Sequence, residues 1–244
     1  MFCECTDIAS LDEGELEALR SLLPPARMGK VGALRFEQDR RASTVAWSLL
    51  RCTLERRFGI DVNLIELEYG RYGKPHLRSC PGVHFNLSHT RTAVMCAVSD
   101  VPVGCDVQRR CELPARDALF ERRILHHGEQ ALIGDSRGDD RRRLLTLFWT
   151  LKEAYTKQRG TGLVANIAGY DFSSLVAAYL ETDTRKDLPW HARAFGLDFA
   201  LYERGDCALC ACAAHALHRG EHPGFRKIPG NQHGKALPKP CPED

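Results

Sequence analysis

Twice along this chain of 244 residues a helical apolar period gives way to short alternating runs, and few folds accommodate that recurrence. Between Gln38 and Phe58, Val45, Leu49, Cys52 and Leu54 form a stripe flanked by arginines and stopped by Gly59, which predicts a buried amphipathic helix. Val83–Leu87, Ala93–Val98 and Val101–Val107 then read as three strands of a meander, with Ser99 and Asp100 as the turn between the last two. The helical period returns at 119–129 and 144–158, either side of the loop Gly134–Gly138. Strands are expected again near 168–172, 192–201 and 208–215, and the run Ala93–Val98 is echoed by Ala208–Cys212. The pattern implies an α+β fold of two similar halves, 1–105 and 106–216, each a short antiparallel sheet packed with helices, with a ligand cleft between them.

Around this frame, Ser10–Leu23 reads as a helix with Ser10 as N-cap and Glu13 in the capping-box position, halted by Pro24 and Pro25. Ile60–Tyr69 alternates as a strand before the basic, turn-rich loop Gly70–Pro75. Residues 217–244 are rich in Pro, Gly, Lys and His and are expected to form a disordered tail.

Charged residues make up 27 % of the chain yet nearly cancel to a net charge of +2, so no overall field points to nucleic acid. An anionic ligand must then be held by a local cluster. No stretch approaches the roughly 20 apolar residues of a membrane span. The opening residues, with Glu4, Asp7, Asp12 and Glu13, have neither a signal-peptide nor a transit-peptide pattern. A cytoplasmic monomer is expected, a plastid location staying open if Met1 is not the native start. Eleven cysteines, an odd number, argue for reduced thiols rather than a disulfide framework. Cys207, Cys210, Cys212 and His215, with Cys3 and Cys5, have spacings that zinc could use. Alternation favours another reading, with Cys210 and Cys212 packing on one strand face.

Three clusters could carry chemistry. In Gly104-Cys-Asp-Val-Gln108, alternation puts Asp106 and Gln108 on one face, although a carboxylate at a strand end is also ordinary. In Phe148–Lys157, Trp149, Glu153 and Lys157 are four apart and share a helix face; an exposed Glu–Lys pair at that spacing contributes only about 0.2–0.5 kcal/mol. In Phe85–Thr90, Ser88 and His89 are adjacent on an extended run and point apart, which suits anion binding better than a nucleophile with its base.

Together with Gly73-Lys-Pro75, and in this order and spacing, these clusters resemble the phosphopantetheinyl transferases, specifically the long, single-chain pseudo-dimeric class typified by the enzyme that activates surfactin synthetase. The resemblance runs from Arg27 to Phe172 and returns at Ala211–His215. It implies that Asp106 and Glu153 bind Mg²⁺ bridging the pyrophosphate of coenzyme A. Gln108 stands where many members have Glu, which implies a weaker metal site. It further implies that Lys74, Pro75, Ser88 and His89 contact the nucleotide and its phosphates, with Arg41 near the nucleotide, Lys157 at the pyrophosphate and Lys152 among the coenzyme A-binding residues.

The implied reaction is attack by a serine of an apo acyl or peptidyl carrier protein on the β-phosphorus of coenzyme A. Asp106, Glu153 and Lys157 would be catalytic, with Glu153 the base, directly or through a metal-bound water, and Lys152 its competitor. Arg122, Arg123 and Arg141–Arg143 are candidates to meet an acidic carrier helix. A coenzyme A- or carrier-binding protein without turnover, or a metal-binding interaction module built on the C-terminal cysteines, are the alternatives from other classes.

Overall fold

A computed structural model describes residues 1–61, 65–113, 117–162, 166–182 and 189–214, and the backbone of 225–227. Strand β1 (Phe2–Asp7) is followed by helices α1 (Glu13–Ser21), α2 (Pro25–Gly32) and α3 (Glu37–Phe58). Strands β2 (Leu67–Tyr69), β3 (Pro75–Leu77), β4 (His84–His89), β5 (Ala93–Ser99) and β6 (Val103–Arg109) come next. Helices α4 (Ala118–Ile124), α5 (His127–Ile133), α6 (Gly138–Arg159) and α7 (Ser173–Leu180) lead to β7 (Trp190–Ala194), β8 (Leu197–Arg204), β9 (Cys207–Ala213) and β10 (Phe225–Lys227).

Two four-stranded sheets form, each backed by one long helix. The first has the order β10-β1-β5-β4 and the second β6-β9-β8-β7, with β2 and β3 as a separate hairpin. Val45, Leu49 and Leu50 of α3 pack on Phe85, Val94, Cys96 and Val98, because alternation sends those strand residues to one face. Leu147, Phe148 and Leu151 of α6 pack likewise on Phe199, Leu201, Cys210 and Cys212. The opposite faces meet in a third cluster that includes Cys3, Met95, Ala97, Cys105, Val107, Leu209 and Ala211. The α+β expectation is met.

Several expectations need correction. Val101–Val107 does not complete a meander with β5: the whole of β6 pairs with β9 in the second sheet, so a 105/106 boundary cuts through a strand. Alternation fixes which face a side chain takes but not which strand lies alongside. Strand β1 was not expected, yet it pairs along its full length with β5. The N-cap of α1 is Asp12, in a capping box with Glu15, instead of Ser10 with Glu13. Among the described residues of Ile60–Tyr69 only Leu67–Tyr69 is strand, and residues 62–64 lie outside them. The segment 119–129 is two helices divided at Leu125 and His126, where His126 caps α5. Ile167–Gly169 is a 3-10 turn rather than part of a strand, and 192–201 is a hairpin turning at Phe195 and Gly196. In the expected tail, Phe225–Lys227 runs parallel to β1, and the remainder lies outside the described residues. Among the described residues no helix is long and apolar enough to cross a membrane.

Candidate active site

The candidate site forms where β4 and β6, the edge strands of the two sheets, meet beneath α6. The backbone N–H of Cys105 donates to Asn86 Oδ1 at 2.9 Å, and the Cys105 thiol donates to Asn86 O at 3.3 Å, so β4 and β6 are held by a side chain in place of a ladder. Val103, Cys105 and Val107 point into the cluster between the sheets, which turns Gly104, Asp106 and Gln108 toward α6. Helix α6 carries Asp139 and Asp140 in its first turn and Lys157 and Arg159 in its last, matching the helix dipole, and ends on Gly160 in the left-handed conformation, φ 69°. It lies so close to β6 that a Cβ on Gly104 would overlap the carbonyl of Ala154 and the backbone nitrogen of Gln158, and would sit 2.9 Å from Gln158 Cα. Only glycine permits this approach.

The close approach places the polar face of α6 on Asp106. Lys157 Nζ donates to Asp106 Oδ1 at 2.6 Å and to Ser88 Oγ at 3.0 Å, and Ser88 Oγ donates to the same Asp106 oxygen at 2.7 Å. Glu153 Oε2 is 3.9 Å from Lys157 Nζ. Asp106 is 4 % exposed, so these contacts act with little screening by water. Burial pushes the Glu153 carboxyl above the usual carboxylate range, Lys157 pulling it partly back and Asp106 pushing it up again. For Lys157 burial acts downward and is the largest single influence, but Asp106, Cys105 and Glu153 together outweigh it and the ammonium is held above the ordinary lysine value.

Two buried oxygens here, Asp106 Oδ2 and Glu153 Oε1, have no hydrogen-bond partner among the described residues. Two carboxylates with free, buried oxygens suit a hard divalent cation that takes its other ligands from phosphates and water. Among the described residues no group of three or more His, Cys, Asp and Glu side chains is placed to enclose a metal alone. Gln108 shares the face of Asp106, with its Nε2 donating to Arg109 O at 3.2 Å.

The remaining candidates are placed as follows. His89, the last residue of β4, is exposed while Ser88 is buried, so the two point apart as expected. Pro75 opens β3 opposite Tyr69. Lys74 Nζ donates to Val103 O at 2.9 Å and Gln158 O at 3.0 Å, tying the Gly73–Pro75 loop to β6 and to the end of α6, and burial lowers its pKa to about 8. Arg41 does not join the cluster: it is ion-paired with Glu13 and donates to Leu11 O at 2.9 Å, because the first turns of α3 and α1 face each other. Lys152 does not join it either. Its side chain is 0 % exposed and makes an ion pair at 2.9 Å with Glu129, on the side of α6 away from Asp106.

Two of the supposed carrier-facing arginines are also taken internally, Arg141 by Glu121 at 2.6 Å and Arg143 by both oxygens of Glu203, while Arg122, Arg123 and Arg142 stay exposed. The zinc spacing does not survive the strand's alternation. Cys210 and Cys212 lie in the core under α6, Cys207 packs against the cluster between the sheets together with Cys3 and Cys5, and His215 lies outside the described residues. Sequence reasoning left Asn86, Gly104 and Glu129 without roles; a glycine inside an apolar strand was a usable signal for close approach, whereas nothing marked Glu129.

Comparison with known proteins points to one family. The family profile described as 4′-phosphopantetheinyl transferase, N-terminal, matches residues 12–100, and that of the 4′-phosphopantetheinyl transferase superfamily matches residues 102–212. Relatives include 4′-phosphopantetheinyl transferase Sfp of Bacillus subtilis, 26 % identical over 153 residues covering 63 % of this chain and 67 % of Sfp. The 4′-phosphopantetheinyl transferase HetI of Nostoc is 27 % identical over 155 residues, 62 % of this chain and 65 % of HetI. An L-aminoadipate-semialdehyde dehydrogenase-phosphopantetheinyl transferase of Eremothecium gossypii is 32 % identical over 172 residues, 67 % of this chain and 60 % of that protein. With consecutive profiles of one family spanning both helix-backed sheets, and the Asp106, Glu153 and Lys157 cluster at their junction, the chain belongs to the 4′-phosphopantetheinyl transferase superfamily and is of the Sfp type.

Proposed function

We propose that this enzyme transfers the 4′-phosphopantetheine arm of coenzyme A to a serine of an apo acyl or peptidyl carrier protein and releases adenosine 3′,5′-bisphosphate. The observation that carries this reading is the pair of free, buried oxygens Asp106 Oδ2 and Glu153 Oε1 beside the Lys157 ammonium. Asp106 and Glu153 would hold Mg²⁺, with Gln108 contributing at most a neutral amide oxygen. When bound, the ion polarises phosphoryl oxygens and neutralises charge on the pyrophosphate.

The chain's own residues supply the rest. Lys157, with its pKa raised, stays an ammonium through the neutral range and stabilises negative charge on the pyrophosphate. Glu153, on the helix face beside Lys157, is the carboxylate assigned to accept the proton of the carrier serine hydroxyl. A bond forms between the serine oxygen and the β-phosphorus, and the bond from that phosphorus to the bridging oxygen breaks, its electron pair leaving with adenosine 3′,5′-bisphosphate. His89 and Ser88, at the end of β4, are assigned to the phosphates of the nucleotide, with Lys74 holding the neighbouring loop. Exposed Arg122, Arg123 and Arg142 are the cations left to meet an acidic carrier helix.

Incubation with coenzyme A, Mg²⁺ and apo carriers from fatty-acid, polyketide and peptide synthesis tests the reading. Adenosine 3′,5′-bisphosphate should appear as coenzyme A is consumed and should not appear with EDTA; failure with every carrier refutes it.

A further inference from the structure

Lys152 immediately precedes Glu153, yet its ammonium points away from the site. All three of its N–H donors are used: Glu129 Oε2 at 2.9 Å, Ile167 O at 2.8 Å and Tyr170 O at 2.6 Å. Glu129 is 0 % exposed and is itself satisfied, accepting from the backbone N–H of Phe172 at 2.9 Å through one oxygen and of His126 at 2.9 Å through the other. The pair therefore joins the middle of α6 to the start of α5 and to residues 167–172. On the opposite side, the glycine contact with β6 grips the same turn of α6 at Ala154 and Gln158.

We propose that Lys152 and Glu129 are a positioning pair: by fixing the rotation of α6 about its axis they aim Glu153 and Lys157 at Asp106, and Lys152 itself touches neither coenzyme A nor the carrier. The inference rests on the proposed transferase reading for its kinetic consequence, not for its structural one. A buried ion pair with every hydrogen bond made adds little net stability over apolar residues, but it specifies one geometry, because loss of either partner leaves a buried charge unpaired. A side chain turned about 100° from the site around the helix can act on it only through the backbone it holds.

The test measures Lys152→Met and Glu129→Gln beside the wild type, each well below its melting temperature. The readouts are kcat, KM for coenzyme A, coenzyme A binding by calorimetry, and Mn²⁺ binding by electron paramagnetic resonance. A fall in kcat and in Mn²⁺ affinity of about 10-fold or more is expected in both variants, with any change in coenzyme A affinity equal in the two. Glu129→Gln, which keeps the shape of the side chain and one acceptor oxygen while removing its charge, supplies the answer if Lys152→Met does not fold. A lowered melting temperature with unchanged kcat and Mn²⁺ affinity overturns the proposal, as does a coenzyme A affinity weakened tenfold by Lys152→Met but not by Glu129→Gln, which would make Lys152 a direct ligand. If the wild type transfers nothing to any carrier, the transferase reading fails separately, and Mn²⁺ affinity still decides whether the pair positions Glu153.

Discussion

The Nζ of Lys157 sits 2.6 Å from Oδ1 of Asp106, a residue 51 positions earlier in the chain. Ser88, from the other sheet, shares that oxygen, so a helix and two edge strands converge on one carboxylate whose second oxygen stays free. The cation that balances Asp106 in the structure is thus a side chain, and under the proposed function Lys157 would turn to the pyrophosphate once a metal ion takes the free oxygen.

Replacement of Glu153 by Gln keeps the shape of the side chain but removes the proposed proton acceptor. Transfer should fall by about 10²- to 10⁴-fold in kcat, with the melting temperature close to wild type, as measured by steady-state kinetics and thermal denaturation.

The site depends on the absence of a side chain at position 104. Gly104→Ala should force α6 off β6, lowering stability by about 1–3 kcal/mol or more and reducing kcat together with it, since Glu153 and Lys157 ride on the displaced helix. Circular-dichroism melts paired with kinetics check this. A variant as stable and active as wild type would mean that the helix does not need to lie so close.

Lys74 makes a pH-dependent contribution whose sign is fixed by the direction of its shift. Burial lowers its pKa from 10.5 to about 8, so between those values the unfolded chain binds more protons than the folded one, and stability from this group rises with pH across that window. The neutral amine retains two N–H donors for the carbonyls of Val103 and Gln158, so the tie persists. The melting temperature of wild type relative to Lys74→Met should therefore increase as pH is raised from 8 to 10.5.

The arginines divide into two kinds. Arg143→Ala should destabilise the fold by about 1–3 kcal/mol, because it strips Glu203, whose side chain is 10 % exposed, of a bidentate partner. Arg122→Glu with Arg123→Glu should leave the melting temperature unchanged and raise KM for an acidic carrier, an effect that shrinks as salt is added.

Much of this arrangement could be read from the residues. Helices α3 and α6 were legible because each keeps a 3.6-residue apolar period over many turns and ends in a glycine that adopts a left-handed cap, Gly59 and Gly160. Glu153 and Lys157 were legible as sharing a helix face for the same reason of periodicity, whereas their meeting with Asp106 came from the family resemblance. What periodicity cannot supply is the partner across space. Strand β6 looked like the third strand of a meander, and only tertiary packing sends it to β9. Lys152 stood next to Glu153 among site residues and turned out to belong to Glu129, a contact between separate helices that no local pattern announces. The break at Leu125 and His126 was hidden because histidine is an uncommon N-cap, and the apolar run near 168–172 was too short to tell strand from turn.

The most direct measurement is the intact mass of a purified apo carrier after incubation with this enzyme, coenzyme A and Mg²⁺, set beside the same reaction with Asp106→Ala and with EDTA. A gain of one phosphopantetheine with the wild type, and none with Asp106→Ala or EDTA, is the expected result. An unchanged carrier mass with the wild type across every carrier class, or a full gain with Asp106→Ala, would contradict the assignment of the Asp106, Glu153 and Lys157 cluster as a phosphopantetheinyl transfer site.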